Sequence, residues 1–370
     1  MKLTKFFAFA LTALAFVSCG GGSEVEKPFN SPLFLTVNDG EKVSLKIDDV
    51  ATFKVTDENG NDVTAQATIF GLEKEGMTTY EDATFTATKT GKYEFFATLG
   101  TQNSNYVTIS VLAEMPDYVA DPQPENLKFN HRVLLIDHTG VNCGYCPKAA
   151  DALREVAATE WHNHYSEVTC HAGDFAGGDP ANSKAANSLN GYQTNLISGY
   201  PTILVNFFSK AGSYTRPYII SALEDAVNMN GAEVGISMAV TGDPEALYCA
   251  AEVKAAVAGE YKVTAWLLES KISSPKQASA TKDYHKIYDN ALRNMAHNHS
   301  KTNVLGDEKL TIAEGATQKI AFTLPVTSTK WNYENMSVVV IVTKNTSKGW
   351  DVVNTLSCPI NESKAFEYLQ

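Results

Sequence analysis

"GVNCGYCPKAADALREVAATEW" (residues 140–161) holds two cysteines separated by two residues and then runs into an amphipathic pattern. Ala150, Leu153, Val156, Ala157 and Trp161 recur at helical spacing, which predicts a helix beginning just after the pair. Pro147 falls in the first turn, where a missing N–H is harmless. Three chemistries use such a pair: a redox couple, half of a metal site, or a staple.

The surrounding sequence narrows the choice. Upstream, "RVLLIDHTG" (132–140) is a continuous apolar run ending in a turn, the pattern of a buried strand. Downstream, "SEVTCHAG" (166–173) and "PTILVNFF" (201–208) read as strands. "DPANSKAANSLNGYQTNLI" (179–197) and "RPYIISALEDAVNMN" (216–230) read as helical in part or throughout. Strand–helix alternation of this kind predicts an α/β unit over 127–230. A zinc site needs four ligands, and no second Cys-x-x-Cys pair exists.

The order of strand, Cys143-Gly144-Tyr145-Cys146, helix and a proline at the mouth of a later strand (Pro201) resembles the thioredoxin superfamily. Asp137 stands six residues before Cys143, where that superfamily carries a buried acid. The resemblance implies that Cys143 attacks, Cys146 resolves, Asp137 relays a proton, and Tyr200 with a cis Pro201 presents the substrate. It also implies a Cys143–Cys146 disulfide in the oxidised state. The segment 171–188 is then an insertion. Gly-Tyr between the cysteines is similar to periplasmic disulfide isomerases. Asp137 as a turn-forming strand-end acid and Pro201 as an ordinary trans strand-start residue are the bland alternatives. So is a thioredoxin-like scaffold that has lost its activity.

The N-terminus predicts export. Lys2 and Lys5 precede an apolar run from Phe6 to Val17, broken only by Thr12, and Ser18-Cys19-Gly20 follows. This resembles a bacterial lipoprotein signal (1–18), with Cys19 as the acylated N-terminus and 19–30 as a tether. Phe16 departs from the usual leucine, and an ordinary secretory signal is the alternative. Signal, "LLIDHTGVNCGYCP" (134–147) and a β-rich C-terminal part together resemble the outer-membrane-protein-twenty-eight family of Gram-negative lipoproteins. An outer-membrane location, facing periplasm or cell surface, is what that implies.

The rest of the chain reads as β-structure. Residues 31–113 contain short β-branched and aromatic runs divided by turn signals such as "ENGND" and "KTGK", and 114–126 is a proline- and acid-rich linker. Residues 231–370 return to strands. The expected fold is therefore multidomain: an α/β thioredoxin-like domain between two all-β, immunoglobulin-like sandwiches. Cys249 and Cys358 either pair across the last sandwich or stay as buried free thiols, and Cys170 reads as a buried inert thiol.

A net charge of −12, with no basic run beyond the first residues, argues against nucleic acid and anionic lipid surfaces as partners. No phosphate loop or nucleophile elbow occurs, and no cofactor is expected. The leading expectation is a membrane-anchored thiol–disulfide oxidoreductase or isomerase acting on protein thiols or disulfides. Its rival is a surface binding or adhesion lipoprotein.

Overall fold

Residues 133–139 form a strand buried on both faces, and the rest of the site is arranged around it. Val133 and Leu135 point one way and Leu134 and Ile136 the other, as strand alternation requires. In this computed structural model the described residues are 33–73, 76–296, 304–306, 309–347 and 349–369. The expected signal (1–18), tether (19–30) and acylated Cys19 lie outside them.

The backbone divides into two compact units. Of the described residues, one comprises those up to Val43 with those in Val50–Phe85 and Tyr93–Ile109, and the other Ser44–Asp49, Thr86–Lys92 and those from Ser110 onward. In the first, the antiparallel strands Leu33–Val37 and Val50–Asp57 face the strands Thr68–Glu73 and Gly91–Leu99. Phe53 and Phe95 fill the space between them, their rings 4.8 Å apart.

The second unit is built on a nine-stranded sheet. Its order is Ser209–Lys210, Thr202–Val205, Val133–Thr139, Tyr165–His171, Ala291–Met295, Gly259–Glu269, Met336–Thr346 and Gly349–Pro359, with Leu310–Ile312 beside Gly259–Glu269. A four-stranded sheet, Thr317–Pro325, Ala246–Ala255, Val234–Gly242 and Glu362–Lys364, covers part of one face. Val240, Leu247, Cys249, Val338, Val340 and Cys358 lie in the apolar layer between the two. Helices α1 (Cys146–Ala157), α2 (Lys184–Tyr192) and α3 (Arg216–Ala226) complete the unit. Helices α1 and α3 cover Val133, Leu135 and Ile203, while α2 packs on the opposite face against Ile136, Leu204 and Trp266.

This arrangement corrects the expected fold class. The chain is nearly all-β, 46% strand against 15% helix, with several sheets and not a central α/β thioredoxin-like domain between two immunoglobulin-like sandwiches. The cause is one strand pairing. Tyr165–His171 runs parallel to Val133–Thr139 on one side, and on its other side Thr169 pairs with Ala291. The strands of 127–230 therefore continue into those of the C-terminal part and do not close a sheet of their own.

Candidate functional site

The short turn from Gly140 to Tyr145 carries the chain from the central strand into α1. It is held from the side by residues 173–179. Val141 N–H donates to Asp179 Oδ2 at 2.7 Å, and Asn142 N–H to the Phe175 carbonyl at 3.0 Å. Glycine is required at 140, because a Cβ there would stand 2.6 Å from the Phe175 carbonyl oxygen. Asp179 also accepts from His171 Nδ1 at 2.9 Å, and both side chains are sealed from solvent. Burial would raise the Asp179 pKa, but the hydrogen bond and charge of His171 and two backbone N–H donors outweigh it and hold the carboxyl below its usual range.

Cys143 and Cys146 are joined in a disulfide. No side chain caps α1; instead Cys146 N–H donates to Cys143 Sγ at 3.1 Å, and Pro147 has no N–H to satisfy. The first sulfur thus serves as acceptor at the helix start. A thiolate formed there would gain from the same N–H and from the positive end of the helix dipole. Cys143 is nevertheless only 1% exposed and Cys146 4%, although Tyr145 between them is 60% exposed.

Asp137 follows Leu135 at the next same-face position of the strand, on the α1 side and at the end of the strand that leads to the helix start. It is buried, and its Oδ1 has no hydrogen-bond partner. Burial first, and then the Glu167 carboxylate, push its pKa up to about 8. Glu167, on the adjacent strand, is itself pushed up to about 7 by burial and by Asp289. His138 points to the opposite face, where its Nε2 lies 2.8 Å from Gln193 Oε1; burial lowers its pKa to about 4. The Tyr200–Pro201 peptide bond is cis. Tyr200 donates to Asn190 Oδ1 at 2.6 Å, and its ring lies 5.2 Å from that of Phe175.

The remaining cysteines stand apart from this group. Cys170 is a buried free thiol whose Sγ donates to the Ala186 carbonyl at 3.2 Å. Cys249 and Cys358 are also buried and free, so the pairing open from the sequence is not formed. Both side chains sit in the inter-sheet layer, and burial is the main cause that raises their pKa values, that of Cys358 to about 11. Among the described residues no cluster of three or more His, Cys, Asp or Glu could hold a metal ion, and no helix is long and apolar enough to cross a membrane.

Sequence reasoning missed three contributors: Asp179, Gln277 and Asp151. Gln277 Nε2 donates to the Cys143 carbonyl at 3.1 Å, from a segment more than a hundred residues downstream. Asp151, on α1, collects Lys282, Tyr284 and His285 from that same segment. Nothing local in "DYHK" (283–286) ties it to the cysteines.

Comparison with known proteins adds the following. The family model of outer membrane protein Omp28 matches residues 191–364. No curated protein matches the chain. Among solved structures, HBP35 of Porphyromonas gingivalis superposes with a TM-score of 0.51 at 16% identity, covering 66% of this chain and 80% of that one, a likeness of fold alone. Two others are similar at a level that carries no argument. Beta-glucosidase from Kluyveromyces marxianus gives a TM-score of 0.19 at 9% identity, over 37% of this chain and 15% of that one. The bacteriophage RB49 outer capsid protein Hoc gives 0.18 at 8%, over 91% and 70%.

Proposed function

We propose that this chain is an outer-membrane lipoprotein, anchored through Cys19, whose Cys143–Cys146 pair exchanges disulfides with protein thiols. The match to an outer membrane protein family supports the location. The observation that carries the chemistry is Asp137. A buried carboxyl with its Oδ1 left without a hydrogen-bond partner is costly, and a staple has no use for one. A dithiol–disulfide couple does, because the sulfur leaving the broken bond needs a proton.

Starting from the oxidised pair, a substrate thiolate attacks Cys143 Sγ. The Cys143–Cys146 bond breaks, its electrons go to Cys146 Sγ, and Asp137 delivers a proton there. A second substrate thiol, as thiolate, attacks the mixed disulfide and releases Cys143 as a thiolate held by the Cys146 N–H. The substrate dithiol is oxidised and the cysteine pair reduced, with two electrons transferred.

Redox titration of the pair and turnover of insulin disulfides by the reduced protein test this. Activity lost in Cys143→Ser but kept in Cys170→Ala is the expected outcome. A parent without turnover, indistinguishable from Cys143→Ser, refutes it.

One observation favours a second reading, that of a surface binding protein in which the pair is a staple: both cysteines are sealed. Alkylation after mild reductant separates the two, since a staple stays closed.

A further inference from the structure

Residues 274–286 form an arm between two short strands, Ile272–Ser273 and Ile287–Tyr288, which pair with each other at its root. The arm lies on the cysteine turn. Ala278 N–H donates to the Val141 carbonyl at 2.8 Å, beside the contact from Gln277 to the Cys143 carbonyl. Ser279 covers Gly144: a Cβ on that glycine would lie 3.3 Å from Ser279 Oγ. Gln277 is braced from behind by the Tyr288 hydroxyl, which donates to its Oε1 at 2.5 Å.

The other limb of the arm is fastened to α1 at a single oxygen. Lys282 Nζ, the Tyr284 hydroxyl and His285 Nε2 lie 2.9, 2.5 and 2.8 Å from Asp151 Oδ1. The Arg154 guanidinium, one helical turn on, sits 4.8 Å from the Tyr284 ring centre. Burial would raise the Asp151 pKa, but the three hydrogen bonds hold the carboxyl well below its usual range, so it stays charged.

Two features distinguish this arm from a core element. Ile272 and Tyr288 at its root join an apolar cluster, whereas its contacts with the turn and with α1 are mostly polar. A segment held mainly by hydrogen bonds and ion pairs can open below the cost of global unfolding. Left-handed residues also flank the root strands on the outside, Lys271 (φ 59°) and Asn290 (φ 55°).

We propose that residues 274–286 are a strap that shuts the Cys143–Cys146 disulfide, latched to α1 through Asp151, and that a protein thiol reaches Cys143 only when the strap lifts. Attack on a disulfide requires approach along the S–S axis, and a sulfur sealed as Cys143 is cannot admit a protein-sized nucleophile. The purpose of the strap rests on the exchange reading above. Its existence does not.

The test uses the full chain and follows reduction of the Cys143–Cys146 bond by dithiothreitol and by reduced thioredoxin, read as alkylation of the peptide that carries both cysteines. Asp151→Ala and Gln277→Ala should each speed reduction by thioredoxin about tenfold or more, with a smaller gain for dithiothreitol. Ala278→Pro, which deletes the N–H to Val141, serves if Asp151→Ala fails to fold. Hydrogen exchange should show amides 276–283 opening faster than those of the central strand, and faster still in Asp151→Ala. Reduction rates within twofold of the parent in folded variants, or strap amides that exchange only with the central strand, overturn the proposal. Faster reduction without insulin turnover would keep the strap and refute the exchange reading; turnover with unchanged reduction rates would do the reverse.

Discussion

Cysteine is buried in two kinds of place in this molecule, and the contrast shows how differently a buried sulfur can be surrounded. Cys249 and Cys358 lie between two sheets among Val240, Leu247, Val338 and Val340, with ionisation opposed by burial. Cys143 and Cys146 are almost as inaccessible, yet they sit at a helix start where the Cys146 N–H donates to the Cys143 sulfur, beyond the end of a strand that carries a buried acid. Depth is the same in both; the dipoles and proton donors around the sulfur differ. A buried sulfur surrounded by hydrocarbon is packing; the exchange proposed for Cys143 and Cys146 requires the polar groups that only this second environment offers.

The largest expected effect tests that contrast directly. Cys143→Ser should cut insulin reduction by at least ~100-fold, whereas Cys249→Ala and Cys358→Ala should leave it unchanged. Equal losses in all three would erase the distinction.

Asp137 supplies a second test. Its folded pKa of about 8 lies above the ordinary 3.8, so the native state keeps a proton that the unfolded chain releases. Its contribution is favourable below about pH 4 and is lost as pH rises toward about 8. Urea unfolding of D137N should therefore show a flatter pH profile and a gain over the parent at alkaline pH, on the order of several kcal/mol. An unchanged slope between pH 5 and 9 would mean that this carboxyl does not carry a proton in the native state.

Two smaller effects sharpen the comparison from the packing side. G140A forces a Cβ against the Phe175 carbonyl and should cost about 2 kcal/mol of stability, read by thermal unfolding, while also slowing exchange by displacing the turn. C249A removes one buried sulfur from a well-filled layer and should cost about 1 kcal/mol with no change in exchange. Loss of exchange in C249A would tie the inter-sheet layer to the chemistry and break the contrast.

Much of the site could be read before any coordinates. The period of Ala150, Leu153 and Val156 marks α1, and an apolar run ending in Asp137 marks a strand buried on both faces. These signals are local, because side-chain direction repeats every 3.6 residues in a helix and every two in a strand. The sheet that contains the strand could not be read. Its continuation depends on Thr169 meeting Ala291, a backbone pairing with no side-chain signature. For the same reason residues 127–230 look self-contained in sequence and are not. Asp179 and Asp151 resemble other loop and helix-surface acids until their donors, Val141, His171, Lys282, Tyr284 and His285, are brought to them.

By itself, the sequence determined that a strand buried on both faces precedes a helix turning Leu153 and Val156 inward, and that two cysteines stand at that helix's start, all of which follow from short-range periodicity. Only tertiary structure decided that the central strands merge into one nine-stranded sheet, that Cys249 and Cys358 remain apart, and that Gln277 from a distant segment donates to the Cys143 carbonyl. Those outcomes depend on hydrogen bonds between backbone and side-chain groups far apart in the chain, and such bonds leave no period in the residues that make them.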